Sequence, residues 1–221
     1  MFVQDSLDSI RNLAQSESER ISRLRSGPSR PSEPPSSDGL DTDLLDKTGG
    51  LKLGNTTATG TFTATALGGA ITQVAATALD VSGASSLTAD NGAGVKYGIT
   101  LVQAGDLFGG AVSADGNAIT LRDATALTVS LDSSGATSLT AAGALNVSGT
   151  VGTTLTTRTT GPHHTTTFGA TNVGTDLIVT STGAVTETSS NILTVAGEGT
   201  TTLSNPNVTV NGVTGAEITA P

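Results

Sequence analysis

The sequence predicts an all-β repeat body, either a β-helix or β-solenoid or a trimeric β-prism, behind an N-terminal α-helical arm and an extended linker. Three observations carry this expectation. First, one short phrase recurs: Ala78-Leu79-Asp80-Val81-Ser82-Gly83, Ala126-Leu127-Thr128-Val129-Ser130, Ala144-Leu145-Asn146-Val147-Ser148-Gly149 and, more loosely, Ile192-Leu193-Thr194-Val195-Ala196-Gly197. Each alternates apolar with small polar residues and closes on a turn former, which is the pattern of a strand with one buried face. Second, aromatics make up 2% and charged residues 13% of the 221-residue chain, against a usual charged share of about 25%. A core of Ala, Val, Leu and Ile without aromatics is thin, and thin interiors suit stacked repeats. Third, the composition changes twice along the chain, so three regions separate: an arm at 1–26, a linker at 27–50 and the body at 51–221.

The arm comes first. Val3, Leu7, Ile10, Ala14, Ile21 and Leu24 step by fours and threes, with Glu17 at the missing place. That is a heptad seam on an amphipathic helix too short to be stable alone in water. It needs a surface to dock on, a sister copy, or its own body.

The linker, from Gly27 to Gly39, holds four of the seven prolines. Proline fixes φ and removes a donor, so this stretch forms no helix and acts as a semi-extended spacer. The acidic, leucine-bearing stretch Leu40-Asp41-Thr42-Asp43-Leu44-Leu45-Asp46 follows, read as one helical turn or a short docking motif. Val3, Leu7, Ile10, Leu13, Ile21 and Leu24 in the arm, with Leu40, Leu44 and Leu45, are the candidate partner-binding residues.

In the body, Leu79, Ile99, Ile119 and Leu139 lie twenty apart, Leu127 and Leu145 eighteen, Leu177 and Leu193 sixteen. These are solenoid-coil lengths. Breaks such as Leu67-Gly68-Gly69, Asn91-Gly92, Asp115-Gly116-Asn117 and Asn211-Gly212 supply turn chemistry. Thr is abundant because β-branched side chains fit a pleated surface. An all-β sandwich competes, but it would carry more aromatics and longer strands. The aromatic residues Phe62, Tyr97, Phe108 and Phe168 read as end plugs or as fillers where a coil widens.

A formal charge of −9 argues against nucleic acid and anionic membrane surfaces, which need clustered cations. After residue 50 only Lys52, Lys96, Arg122 and Arg158 are basic, and they read as scattered. Cysteine is absent, which removes disulfides, thiolate metal sites and Cys nucleophiles. Met1–Asp8 has neither a basic start nor an apolar run, so the expected site of synthesis and residence is a cytoplasm. No stretch approaches the ~20 apolar residues that span a bilayer.

Chemistry-bearing residues are few. His163-His164 point to opposite faces of a strand, so one chain cannot easily chelate with both, although one His per chain on a threefold axis would give a three-nitrogen site. A polar turn after Gly161-Pro162 is the simpler reading. Asp90, Asp115, Asp123 and Asp132 lie near turns and lack the calcium-loop pattern. A carboxylate pair for glycan hydrolysis would lack the aromatic platforms such sites use. No nucleophile elbow and no phosphate loop is present. No cofactor is expected.

The stretches Gly183–Thr188, Ile192–Gly197, Thr200–Leu203 and Leu139–Gly149 resemble the β-strand repeats of large bacterial surface proteins of the filamentous-haemagglutinin type. The same phrases also resemble fibres and decoration proteins of tailed bacteriophages. The first resemblance implies a β-helical stalk with no catalytic residue. The second, combined with the helical arm and the tether, implies a homotrimeric capsid cement, decoration or fibre protein that grips a major capsid or tail protein through its N-terminal arm. A virion component is the leading expectation and a cell-surface adhesin or matrix protein the alternative. A host surface glycan is the further partner that either implies.

Overall fold

The computed structural model describes residues 41–188, 193–196, 200–203, 208–209 and 217–219. Within them the chain is a right-through coil of parallel strands. The first three coils carry three strands each: β1 (Thr42–Asp46), β2 (Leu51–Leu53) and β3 (Thr56–Ala58); β4 (Phe62–Ala66), β5 (Ile71–Gln73) and β6 (Leu79–Val81); β7 (Ser85–Thr88), β8 (Ile99–Leu101) and β9 (Leu107–Phe108). The next four carry two each: β10 (Val112–Gly116) with β11 (Ile119–Asp123), β12 (Leu127–Ser133) with β13 (Thr137–Ala141), β14 (Leu145–Val151) with β15 (Leu155–Thr159), and β16 (Thr166–Val173) with β17 (Leu177–Thr180). Beyond them lie β18 (Val185–Glu187), β19 (Leu193–Val195), β20 (Thr200–Leu203), β21 (Val208–Thr209) and β22 (Glu217–Thr219).

Strands of successive coils pair in parallel. A first sheet runs β1-β4-β7-β10-β12-β14-β16-β18-β21, with β19 also on β16; a second runs β2-β5-β8-β11-β13-β15-β17-β20-β22; a short third sheet is β3-β6-β9. Nine strands deep means eight rises, so the body is a parallel β-solenoid of about eight turns. At ~4.8 Å per rung the stack is about 38 Å long. Each strand pairs in parallel with the equivalent strand of the next coil, which is the order of a solenoid and not of an intertwined prism.

The strands form where the two-residue alternation can bury one face. β12 reads Leu127-Thr128-Val129-Ser130-Leu131-Asp132-Ser133, and its burial alternates residue by residue. The same parity holds on its neighbours, so inward side chains stack in columns: Val112 on Val129 on Val147 on Phe168, and Ile71 on Ile99 on Ile119. These buried residues form one continuous core. Each fully buried Leu, Ile or Phe contributes about 1.5–3 kcal/mol against an exposed chain.

The buried aromatics serve both kinds of coil, Phe62 and Phe108 in three-strand coils and Phe168 in a two-strand one. Phe62, Phe108 and Phe168 are fully buried, and Phe62 stacks against the small Ser85 of the next coil. At Phe168 the register shifts between Val147 and Gly149, so that two residues of β16, Gly169 and Ala170, oppose the single Ser148. This bulge sits beside Gly149, whose φ is +103°. A Cβ there would drive into the Leu131 carbonyl of the coil below, which is why the third copy of the repeated phrase ends its run on glycine.

Residues 42–46 were expected in the linker, as a helical turn or docking motif. They form strand β1, and the compact unit that holds the coils begins at Gly39. Pairing with β4 decides the matter, since each residue from Thr42 to Asp46 meets a partner from Phe62 to Ala66. Asp46 serves the following turn, its Oδ1 accepting from Thr48 N (2.9 Å) and Gly49 N (2.8 Å), while Asp41 Oδ1 accepts across the rung from Thr61 N (2.8 Å). The Thr48 and Gly49 N–H groups hold the Asp46 carboxyl below its ordinary value. The helical arm at 1–26 and the proline-rich stretch lie outside the described residues.

Candidate functional site

Of the candidate partner-binding residues, Val3, Leu7, Ile10, Leu13, Ile21, Leu24 and Leu40 lie outside the described residues. Leu44 and Leu45 alternate on β1: Leu44 packs against the core, while Leu45 points outward and is 57% exposed. They therefore do not form one apolar patch.

The acids that chemistry would need are engaged in the fold. Asp123 is buried at the place where the third sheet ends. No strand continues above β9, and the Asp123 carboxylate takes the position of the missing acceptor: Phe108 N donates to Oδ2 (3.1 Å), while Thr125 N and Oγ1 donate to Oδ1 (2.6 and 2.9 Å). Asp106, also buried, accepts from Gln73 Nε2 (2.6 Å) and Leu79 N (3.0 Å) at Oδ1 and from Gln103 N (3.0 Å) at Oδ2. Burial raises its pKa, its three donors pull it back, and the nearby charge of Asp123 adds to the rise. Both acids stitch one coil to the next at the corner where the solenoid narrows from three sheets to two.

Asp115 and Asp132 occupy adjacent rungs of the first sheet's outer face. Like charges one rung apart repel, and Lys96 neutralises both: its Nζ lies 2.7 Å from Asp115 Oδ1 and 2.8 Å from Asp132 Oδ1, and it donates to the Asp132 carbonyl at 3.0 Å. The loop that carries Lys96 is built by Asn91-Gly92. Gly92 N donates to Asp90 Oδ1 (2.6 Å), Gly92 takes φ +72°, and Asn91 Oδ1 accepts from Ala93 and Val95. Partial burial lowers the Lys96 pKa, but the hydrogen bonds and charges of the two carboxylates outweigh it and the net shift is upward.

His163 and His164 sit in the turn after Gly161-Pro162, with His163 at φ +57° and exposed. The His164 carbonyl accepts from Gly183 N (2.7 Å) and Ser181 Oγ (3.0 Å). Among the described residues no group of three His, Cys, Asp or Glu is placed to hold a metal. Among the described residues no helix is long and apolar enough to cross a membrane.

What remains outside is ordered polar surface. On the first sheet Thr63, Ser86, Ser113, Ser130 and Ser148 stack in one outward row, and on the second Thr72, Thr100, Thr120, Ser138 and Thr156 do the same. The second sheet also brings together two cations that looked scattered: Arg122 and Arg158 stand on one outer column with Thr140 between them, and both line the same groove. The signal was in the numbering, because 158 − 122 is 36, twice the eighteen-residue coil of Leu127 to Leu145.

Residues 41–115, spanning the first three coils and β10, match a family described as repeats of unknown function (DUF5649). Neither the curated proteins nor the solved structures gave a match.

Proposed function

We propose that this chain is a non-enzymatic structural shaft of the cell-surface adhesin or matrix type, a rigid rod that holds and presents side chains at fixed spacing. The observation that carries the reading is the core. Leucine, valine and isoleucine columns close inside one chain, with side chains from Leu53 to Val195 buried. A trimer is then not needed to supply the interior, which supports a single-chain stalk. The carboxylates support the non-enzymatic part: Asp106, Asp115, Asp123 and Asp132 each hold backbone or a lysine.

The mass of the full chain in solution, by size exclusion with light scattering, tests this. A monomer at physiological salt is the expected result, with the protein recovered in the envelope fraction of its source cells. A stable trimer that co-purifies with phage particles would replace this reading with that of a decoration or fibre protein.

A further inference from the structure

The second sheet's outer face differs from the rest of an acidic molecule. From β2 to β17 its outward column reads Lys52, Thr72, Thr100, Thr120, Ser138, Thr156 and Ile178, and the neighbouring column reads Arg122, Thr140, Arg158 and Thr180. No carboxylate stands in either. Three of the four basic residues that follow residue 50 are here, whereas Asp43, Asp115 and Asp132 point outward from the first sheet. Parallel stacking has gathered these cations, with Asp176 at the margin of the face, one residue before β17, accepting from Thr154 Oγ1 (3.2 Å).

Arg122 and Arg158 are both exposed, and among the described residues neither is ion-paired or hydrogen-bonded. They are two rungs apart, about 9.6 Å. Thr140 lies midway, Thr120 and Thr160 add hydroxyls, and Val102, 37% exposed, adds an apolar patch to the same groove. Guanidinium is a planar fork that stays charged and binds carboxylate or sulfate in two-point fashion. The strands beneath hold both forks at a fixed separation, so little order is lost on binding.

We propose that this groove binds a linear acidic polysaccharide, with one anionic group facing the protein at every second sugar. A pyranose is about one rung long, so groups on alternate sugars meet Arg122 and Arg158 in turn. The threonine hydroxyls bond the ring hydroxyls between them, and Val102 covers a ring face. Charge complementarity selects an anion. The sparse cations and the net charge of −9 disfavour nucleic acid. The site is independent of where the shaft is mounted.

The test uses the full chain and a labelled hyaluronan oligosaccharide, with anisotropy read at low salt. Saturable binding is expected, weakened about tenfold by Arg122→Gln or Arg158→Gln and further by both, lost at high salt, and absent for dextran. The Gln variants keep the aliphatic stem, and an unchanged circular dichroism spectrum and urea midpoint show that they fold. Lys52→Gln, on the same face but away from the groove, is expected to bind as the parent does. Four results would overturn the proposal: no binding by the parent, undiminished binding by the double variant, a loss in Lys52→Gln equal to that in Arg158→Gln, or equal affinity for duplex DNA. A rise in mass at low salt that the double Gln variant abolishes would assign the groove to a second copy instead.

Discussion

Asp106 shows what a single side chain does in this interior. It is 0% exposed, yet it keeps three donors, of which Gln73 Nε2 and Leu79 N belong to the preceding coil and Gln103 N to its own. Its native pKa is raised, chiefly by burial, so the native state holds the proton more tightly than the unfolded chain. The contribution to stability is therefore complete below the unfolded value of 3.8 and declines as pH rises through the higher native value. Asp106→Asn removes that dependence. It also turns an amide toward the Gln103 N–H and costs about 1–3 kcal/mol. In urea titrations the parent's advantage over the variant is expected to grow as pH falls from neutral toward 3.8. A shrinking advantage would mean that the donors, not burial, govern the group.

At the scale of elements, the stacked carboxylates of Asp115 and Asp132 are a cost that the Lys96 loop offsets. Lys96→Met leaves two charges one rung, ~4.8 Å, apart. Asp132 is 68% exposed on its side chain, so the expected loss is about 1 kcal/mol or less in urea. The lysine pKa is raised above 10.5, so its contribution is present in full at neutral pH and lost only as pH rises through the native value. Added salt should shrink the difference; a loss of equal size in low and high salt would show that the lysine stem, not its charge, matters. This clamp was not legible in the sequence, because Lys96, Asp115 and Asp132 come together only through the coil. The strands were more legible. The phrases at 126–130 and 144–148 stack residue on residue, as their likeness suggested. The phrase at 78–83 lies on the third sheet, and Leu193 stacks on Thr171 instead of Leu177. Of the spacings of twenty, only Ile99 to Ile119 is a true rung. Coil length varies with each loop, and two-residue alternation makes every inward apolar residue resemble every other, so chance periods arise beside real ones. Thr42–Asp46 was missed for a related reason: its strand exists because β4 pairs with it, and its local composition favours a turn.

For the molecule as a whole, a solenoid's stability is nearly a sum over coils and the interfaces between neighbours. One coil here can be removed without changing register. Both sheets advance by eighteen residues over the same turn, Leu127 to Leu145 in the first and Thr137 to Leu155 in the second. Excising residues 127–144 therefore joins Ala126 to Leu145 with every side chain in its former column. Val147 takes the place of Val129 over Val112, and Leu155 that of Thr137 over Ile119. Thr150 replaces Asp132 above Asp115, which removes the like-charge contact, while Asp123 still closes the third sheet. Arg158 then meets Arg122 directly, a small surface cost. The shortened chain is expected to fold with an unchanged β signal per residue and a urea m-value lower by about an eighth, in proportion to the surface it no longer buries. Excising residues 127–135, half a coil, places β13 where β12 stood and sends its successors to the wrong sheets, so that protein should not fold. If both deletions behaved alike, the coils would not be the independent, register-matched units that their pairing implies.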